Sequence, residues 1–309
     1  MTNNFRRMSL FVLLAGLLCA GAQAQLRFPR ESQKAGLTQT IGVTDITITY
    51  SRPSVKGRLV WGDPPANAPA GAATLDTNNR PKDAPVVPYG HVWRTGANEA
   101  TTFAVTDEVL INGQKLAAGM YSLHTIPGKT EWTIIFNSDA GQWGSFAYDE
   151  KKDVLRVKAK PEPAPMQEWL LYEVSDSAKD TARVVIRWEK LAIPFTVTVP
   201  NMDALVLAKT RAALANAKAD DWASYNQAAG YFLQTAKTNT EEAWQWLEKS
   251  ISIKETFQNL SLKARTYAAM GKTAEAIAAG ERAIEVGKAA KANTANLERL
   301  VAEWKAKKS

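Results

Sequence analysis

At about Asn201 the hydrophobic period of this chain changes, which points to two structurally different domains in one polypeptide. Before that point, β-branched and apolar residues alternate with polar ones in short runs; after it, they recur at helical spacing against a background of Ala, Lys, Glu and Gln. Alternation puts every second side chain on one face of a strand, whereas steps of three and four residues build one face of a helix. The expected fold is α+β with segregated parts. An antiparallel β-sandwich or barrel occupies residues 25–200, and an α-helical hairpin domain occupies 201–309. A length of 309 residues suits two such domains.

Within the first part, residues 40–50 form a Thr- and Ile-rich run expected as one half-buried strand. Further strands are expected over 101–105, 108–111, 121–126, 132–136, 154–159, 168–174, 182–188 and 193–199. Asn112-Gly113 is a tight-hairpin signal, because both residues tolerate positive φ. Together with the turn at Pro127-Gly128, it is expected to set Leu110, Tyr121 and Trp132 in one local meander. Residues 63–88 break the pattern with six prolines. They read as a long exposed loop, too proline-rich for strand or helix, and either a plain excursion or a flap beside Tyr89.

The beginning of the chain has the layout of a secretory leader over residues 1–24: Arg6-Arg7, an apolar run from Leu10 to Ala20, then Ala22-Gln23-Ala24, with cleavage expected between Ala24 and Gln25. Lipidation at Cys19 and twin-arginine export are the alternative routes. The apolar run is short of the ~20 residues that span a bilayer, and no later stretch is longer, so no transmembrane segment is expected after cleavage. The expected location is secreted or periplasmic. Cys19 is the only cysteine, which leaves the processed chain without disulfides, thiol nucleophiles or Cys-ligated zinc. A dispersed formal charge of +7 in an exported protein does not suggest nucleic acid as a partner.

In the second part, Trp222, Tyr225, Ala229, Phe232 and Ala236 keep to one face of a helix. Trp244, Leu247 and Ile251 do the same, followed by Leu260, Ala264 and Tyr267. Ile277 with Ile284, and Leu297, Leu300, Val301 and Trp304, complete a set of about six helices. Tyr267 to Gly271, Glu275-Ala276-Ile277 and Ala283-Ile284 resemble a tetratricopeptide repeat, with a glycine turn between two helices and alanines where they touch. Glu242-Ala243-Trp244 and Ser250-Ile251 repeat the second-helix pattern about 33 residues earlier. Such units need a neighbour over their apolar face, so the array is expected to pack on the β domain or on another chain.

Chemically capable side chains concentrate in residues 88–102, P-Y-G-H-V-W-R-T-G-A-N-E-A-T-T. Loops on a rigid scaffold often carry function, which makes this stretch the place to look for a site. Arg52 and Arg94 offer guanidinium forks for a carboxylate or phosphate, with Asn98 and Glu99 alongside; alternatively, Arg94 and Glu99 pair to pin the loop. His91 and His124 are the only histidines, and without a close-spaced ligand set they are not expected to hold a metal. Trp61, Trp93, Trp132 and Trp143 are either a stacking platform or core filler; Trp61 and Trp143, each beside a Gly, are the better surface candidates. No G-x-S-x-G elbow or glycine-rich phosphate loop is present. No cofactor is expected.

Ser51-Arg52-Pro53-Ser54-Val55-Lys56-Gly57-Arg58 with Trp61-Gly62, Val92-Trp93-Arg94-Thr95-Gly96-Ala97-Asn98-Glu99-Ala100-Thr101, and Ala118-Gly119 with Tyr121-Ser122-Leu123 follow one another in a specific succession. This succession resembles a family of secreted bacterial proteins known as domain of unknown function 2911, over about residues 33–199. The resemblance implies architecture, with a helical tail familiar in the family, and no established activity. The 63–88 loop is longer than the family's usual connection.

Three readings of function follow. The first is a non-catalytic ligand- or protein-binding module of the cell envelope, with an unidentified protein or small molecule as partner. The second is an enzyme using Arg52, Arg94, Glu99 and a histidine on a small anionic or carbohydrate substrate. The third makes the β domain purely structural and the helices the interaction surface.

Overall fold

Alternation in the first part of the chain becomes two open antiparallel sheets. A computed structural model describes residues 28–66, 68, 84–175 and 178–308. The leader, including Ala24 and Gln25, lies outside the described residues, as does most of the proline-rich stretch. The chain divides into two compact units, one ending at Pro200 and one beginning at Asn201.

The first unit contains β1 (Gln33–Ile41), β2 (Thr44–Arg52), β3 (Trp61–Gly62), β4 (Val87–Pro88), β5 (Thr101–Val105) and β6 (Val109–Ile111). It continues with β7 (Gln114–Leu116), β8 (Gly119–Ile126), β9 (Trp132–Asn137), β10 (Asp153–Ala159), β11 (Glu162–Ser175) and β12 (Thr181–Thr198). One sheet has the order β1-β2-β5-β8-β9-β10 and the other β11-β12-β6-β7; neither closes into a barrel. Their inner faces share a core in which Phe103 and Phe136 of the first sheet lie 6.3 and 6.2 Å, ring to ring, from Phe195 of the second.

Four sequence expectations change. The run 40–50 is not one strand: Gly42, at φ 61°, opens a two-residue turn between Ile41 and Thr44, and β1 folds back on β2. A glycine at the first central position with positive φ is the type II′ solution, whose twist matches antiparallel strands. Leu110 does not share a meander with Tyr121 and Trp132. The Asn112-Gly113 hairpin forms, with φ of 46° and 83°, but β6 pairs with β12 in the other sheet. The strands expected over 182–188 and 193–199 are one continuous β12, bent at Glu189, where φ is 54°. Finally, the proline-rich stretch ends in structure. Val87–Pro88 pairs in parallel with Trp61–Gly62, and the amides of Val86, Val87 and Tyr89 each donate to a carbonyl across this ladder at 2.8 Å. Pro88 is compatible with the ladder because no bond there requires its amide.

The second unit has six helices among the described residues: α1 (Met202–Ala215), α2 (Trp222–Gly230), α3 (Thr240–Ile253), α4 (Phe257–Ala269), α5 (Thr273–Ala289) and α6 (Ala295–Lys308). Among the described residues no helix is long and apolar enough to cross a membrane. Gly271, at φ 74°, turns α4 into α5, and Ala264, Ala276 and Ala283 are fully buried. Small residues at such positions let helix backbones approach closely. A Cβ on Gly280 would stand 2.5 Å from Val301 Cγ2 and 3.8 Å from the Ala264 Cβ. The face expected for one helix over 222–236 is split: α2 stops at Gly230, and Tyr231–Ala236 is a π-helical turn that keeps Phe232 buried. Glycine weakens the α-helical ladder at that point.

Candidate functional site

The 88–102 stretch is built into the β unit by its own polar groups. Trp93 forms an antiparallel bridge to Thr125, its amide and carbonyl bonding reciprocally at 2.8 and 2.9 Å. Its indole Nε1 donates to Gly96 O at 3.1 Å. Thr95, fully buried at φ 52°, has a carbonyl that accepts from Thr101 Oγ1 at 2.8 Å and Tyr172 OH at 3.0 Å. Gly96 is required by contact: a Cβ would lie 2.9 Å from Thr101 Oγ1 and 3.2 Å from Ser51 O. Gly96→Ala is expected to destabilise the β unit by about 1–3 kcal/mol through overpacking, read as a lower denaturant midpoint with an unchanged slope. An unshifted midpoint would refute the tight approach.

Arg52, Asn98 and Glu99 bond to separate parts of the β unit. Arg52 Nε donates to Leu170 O at 2.8 Å. It thereby joins the end of β2 to β11, next to the backbone bonds Leu170 N to Pro53 O and Val55 N to Glu168 O. Arg94 is half-buried, and its carbonyl accepts from the Thr101 amide at 3.2 Å. Asn98, at φ 60°, donates from Nδ2 to Ser32 O at 3.1 Å and accepts at its carbonyl from Gly144 N at 2.9 Å. His91 is buried, with Nδ1 3.0 Å from Tyr89 O. His124 is fully buried on β8, with Nε2 3.1 Å from Ser122 Oγ and its ring 5.1 Å from that of Tyr148. Among the described residues no group of three or more His, Cys, Asp and Glu side chains is arranged to hold a metal.

The tryptophans separate into core and surface. Trp61, expected on a surface loop, is only 9% exposed. The β3–β4 ladder turns it inward against Trp93, Trp132 and Trp188 at 5.6, 5.0 and 5.5 Å between ring centroids. Trp93 stacks on Trp188 at 5.7 Å and 19°. Trp143 is 55% exposed and pairs as an isolated bridge with Glu99.

A partly exposed three-residue cluster adjoins the motif. Arg30 Nη1 donates to both carboxylate oxygens of Glu99 at 2.7 and 2.9 Å, and its guanidinium lies 5.6 Å from the Trp143 ring centroid. Partial burial works to raise the Glu99 pKa, but the Arg30 hydrogen bond and charge hold it below the ordinary carboxylate value. Glu99 therefore pairs with Arg30, which the sequence analysis did not select, rather than acting as a free base. The adjoining cavity, bounded in part by Lys34, Ser51, Glu99 and Gln142, has about 170 Å³, room for a few waters at about 30 Å³ each.

A larger opening lies in the helical unit. The π turn, α3, and the end of α4 with the turn after it enclose a groove of about 850 Å³. Trp244 and Tyr267 form one wall, with ring centroids 4.9 Å apart. Lys237, Arg265 and Lys272 bring positive charge to the lining, against one carboxylate, Glu241. Helical periodicity identified Trp244 and Tyr267 as packing residues but carried no sign that their edges border an opening.

A family model described as a protein of unknown function, DUF2911, matches residues 32–197, more than half of the chain. No curated protein and no solved structure gives a significant match. The family match spans β2, the 88–102 stretch, β11 and nearly all of β12, the segments that Arg52, Trp93 and Thr95 tie together through Leu170, Trp188 and Tyr172. The chain belongs to the DUF2911 family.

Proposed function

We propose that this protein is an exported, non-catalytic binding module of the cell envelope, in which the β unit is a scaffold and the helical unit carries the docking surface. The observation that carries this reading is a contrast between the two units. In the β unit the conspicuous polar residues are spent on internal bonds, Arg52 to Leu170, Asn98 to Ser32 and Glu99 to Arg30. In the helical unit a groove of about 850 Å³ is lined by aromatic and charged side chains. Its size falls in the range of ~300–1,000 Å³ typical of ligand sites. The enzyme reading needs Arg52 and Glu99 to meet over a substrate, and both are engaged elsewhere. The leader-like first 24 residues and the lack of cysteine after Cys19 support export and a fold held by packing alone. The likeness of the helices to tetratricopeptide hairpins fits a docking role.

Two full-chain variants test the proposal. Ala269→Trp, at an exposed position in the groove lining, is expected to reduce capture of envelope components by about tenfold. Glu99→Ala is expected to leave capture unchanged. Loss in Glu99→Ala with retention in Ala269→Trp would reverse the assignment and return the site to the β unit.

A further inference from the structure

The lining of the helical groove restricts what it can receive. Trp244 on α3 and Tyr267 on α4 are half-buried, giving an apolar wall that remains partly open to water. Met270 stands at the rim, 58% exposed. Lys263, held by Glu248 at 2.8 Å, lies 5.9 Å from the Trp244 ring centroid, and Lys272 lies 5.9 Å from that of Tyr267. Glu248 offsets the charge of Lys263, whereas Lys272 adds positive potential along the wall. Among the described residues, Lys237 and Arg265 make no ion pair, and the Lys272 ammonium has only the Tyr267 ring. By contrast, arginines elsewhere in this unit are taken up by carboxylates: Arg211 by Glu242, and Arg282 by Glu255 and Glu285. A cluster of three lining cations facing one carboxylate leaves a charge deficit that an incoming ligand would fill.

The backbone of the groove is also unusual. Leu233 and Gln234 come from the π turn, and Lys237 follows it in the left-handed conformation at φ 55°. π turns occur often at functional sites, because the extra residue re-aims the side chains around it. Here the turn directs Leu233 into the core packing and delivers Lys237 to the groove.

We infer that this groove binds an extended peptide segment bearing carboxylates beside an apolar side chain, with the apolar group against Trp244 and Tyr267 and the carboxylates at Lys237, Arg265 and Lys272. This rests on the reading of the helical unit as the docking surface. The cations are exposed, so each contact is weak and screened by salt, and affinity should fall as ionic strength rises.

The test uses the full chain and three fluorescein-labelled hexapeptides, alternating Glu and Leu, Lys and Leu, or Glu and Ser, read by anisotropy at low salt. The Glu/Leu peptide is expected to bind at least about tenfold more tightly than either of the others, and to weaken about tenfold in Arg265→Glu with Lys272→Glu. Lys237→Glu, on a turn, gives a second charge reversal independent of helix stability; circular dichroism verifies that both variants are folded. Equal binding of the three peptides, or Glu/Leu binding unchanged by both reversals, would overturn the inference. So would binding of inorganic phosphate with the same charge dependence while all three peptides stay silent, which would make the groove a simple anion site. If Ala269→Trp abolishes envelope capture while both reversals leave it intact, the docking surface stands and only its acidic-peptide preference falls.

Discussion

Trp93→Ala is expected to lower the stability of the β unit by about 3–5 kcal/mol, the range for removing a large aromatic from a core. The indole is 4% exposed. It stacks on Trp188 and meets Trp61 and Trp132 edge-on at 5.6 and 6.4 Å. Its removal leaves a cavity among three rings that cannot all close in. It also strips Gly96 O of the 3.1 Å hydrogen bond that holds the tight turn of the motif. Packing dominates this cluster: the indole nitrogens of Trp61 and Trp132 are buried without an oxygen acceptor, in rings that meet edge to face at 5.0 Å and 72°. Trp143→Ala is the control. Its ring is more than half exposed, so a change within about 0.5 kcal/mol is expected. Denaturant titration followed by near-ultraviolet circular dichroism separates the two, because the stacked indoles supply an asymmetric signal. A Trp93→Ala protein as stable as the parent would refute the buried cluster and revive Trp93 as a ligand platform.

The features readable from the sequence are those fixed by local chemistry. Asn112-Gly113 reads as a hairpin because the required positive φ values belong to those two residues, and 101–105 reads as a strand because its alternation marks one buried face. Pairing partners are not local. Leu110 was expected beside Tyr121 because they are close in the chain, yet the stretch after Leu116 carries it from one sheet to the other. Gly42 was hidden inside a Thr/Ile run that continues on both sides of the turn. The site suffered most from this limit. Arg30 lies 69 positions before Glu99, and no spacing rule couples them. Trp61 looked superficial beside Gly62 because the β3–β4 ladder that turns it inward depends on residues at the far end of the proline-rich stretch. In the helices, a 3.6-residue period marks the face that packs without saying where the neighbour stops covering it. Trp244 and Tyr267 were therefore legible as helix-facing residues, and the groove they border was not.

Asn259→Ala is expected to destabilise the helical unit by about 2–3 kcal/mol, because the buried Thr256 N left without a partner costs about 1–3 kcal/mol and the part-buried Lys254 O loses its side-chain donor as well. Asn259 is fully buried. Its Oδ1 accepts from Thr256 N at 2.9 Å, and its Nδ2 donates to Ser250 Oγ at 3.0 Å and Lys254 O at 2.8 Å. Ser250 Oγ in turn donates to Trp222 O at 2.8 Å. One amide side chain thus completes the capping box of α4, closes the end of α3 and reaches the first residue of α2. Alanine would strand Thr256 N and Lys254 O together, a larger loss than the ~1 kcal/mol of an ordinary N-cap such as Thr256→Ala. The clasp joins the C-terminal end of α3 to the N-terminal end of α4, whereas Trp244 lies toward the start of α3 and Arg265 and Tyr267 toward the end of α4. The groove is therefore formed by the opposite ends of the same two helices, and loosening the clasp is expected to disturb the register of its walls. Amide exchange should rise at Thr256 and along the first turn of α4, with the near-ultraviolet signal of the tryptophan cluster in the β unit unchanged and affinity for the Glu/Leu peptide reduced. Unaltered protection at Thr256 would show that apolar packing around Leu247 and Leu260 orders the hairpin without the clasp.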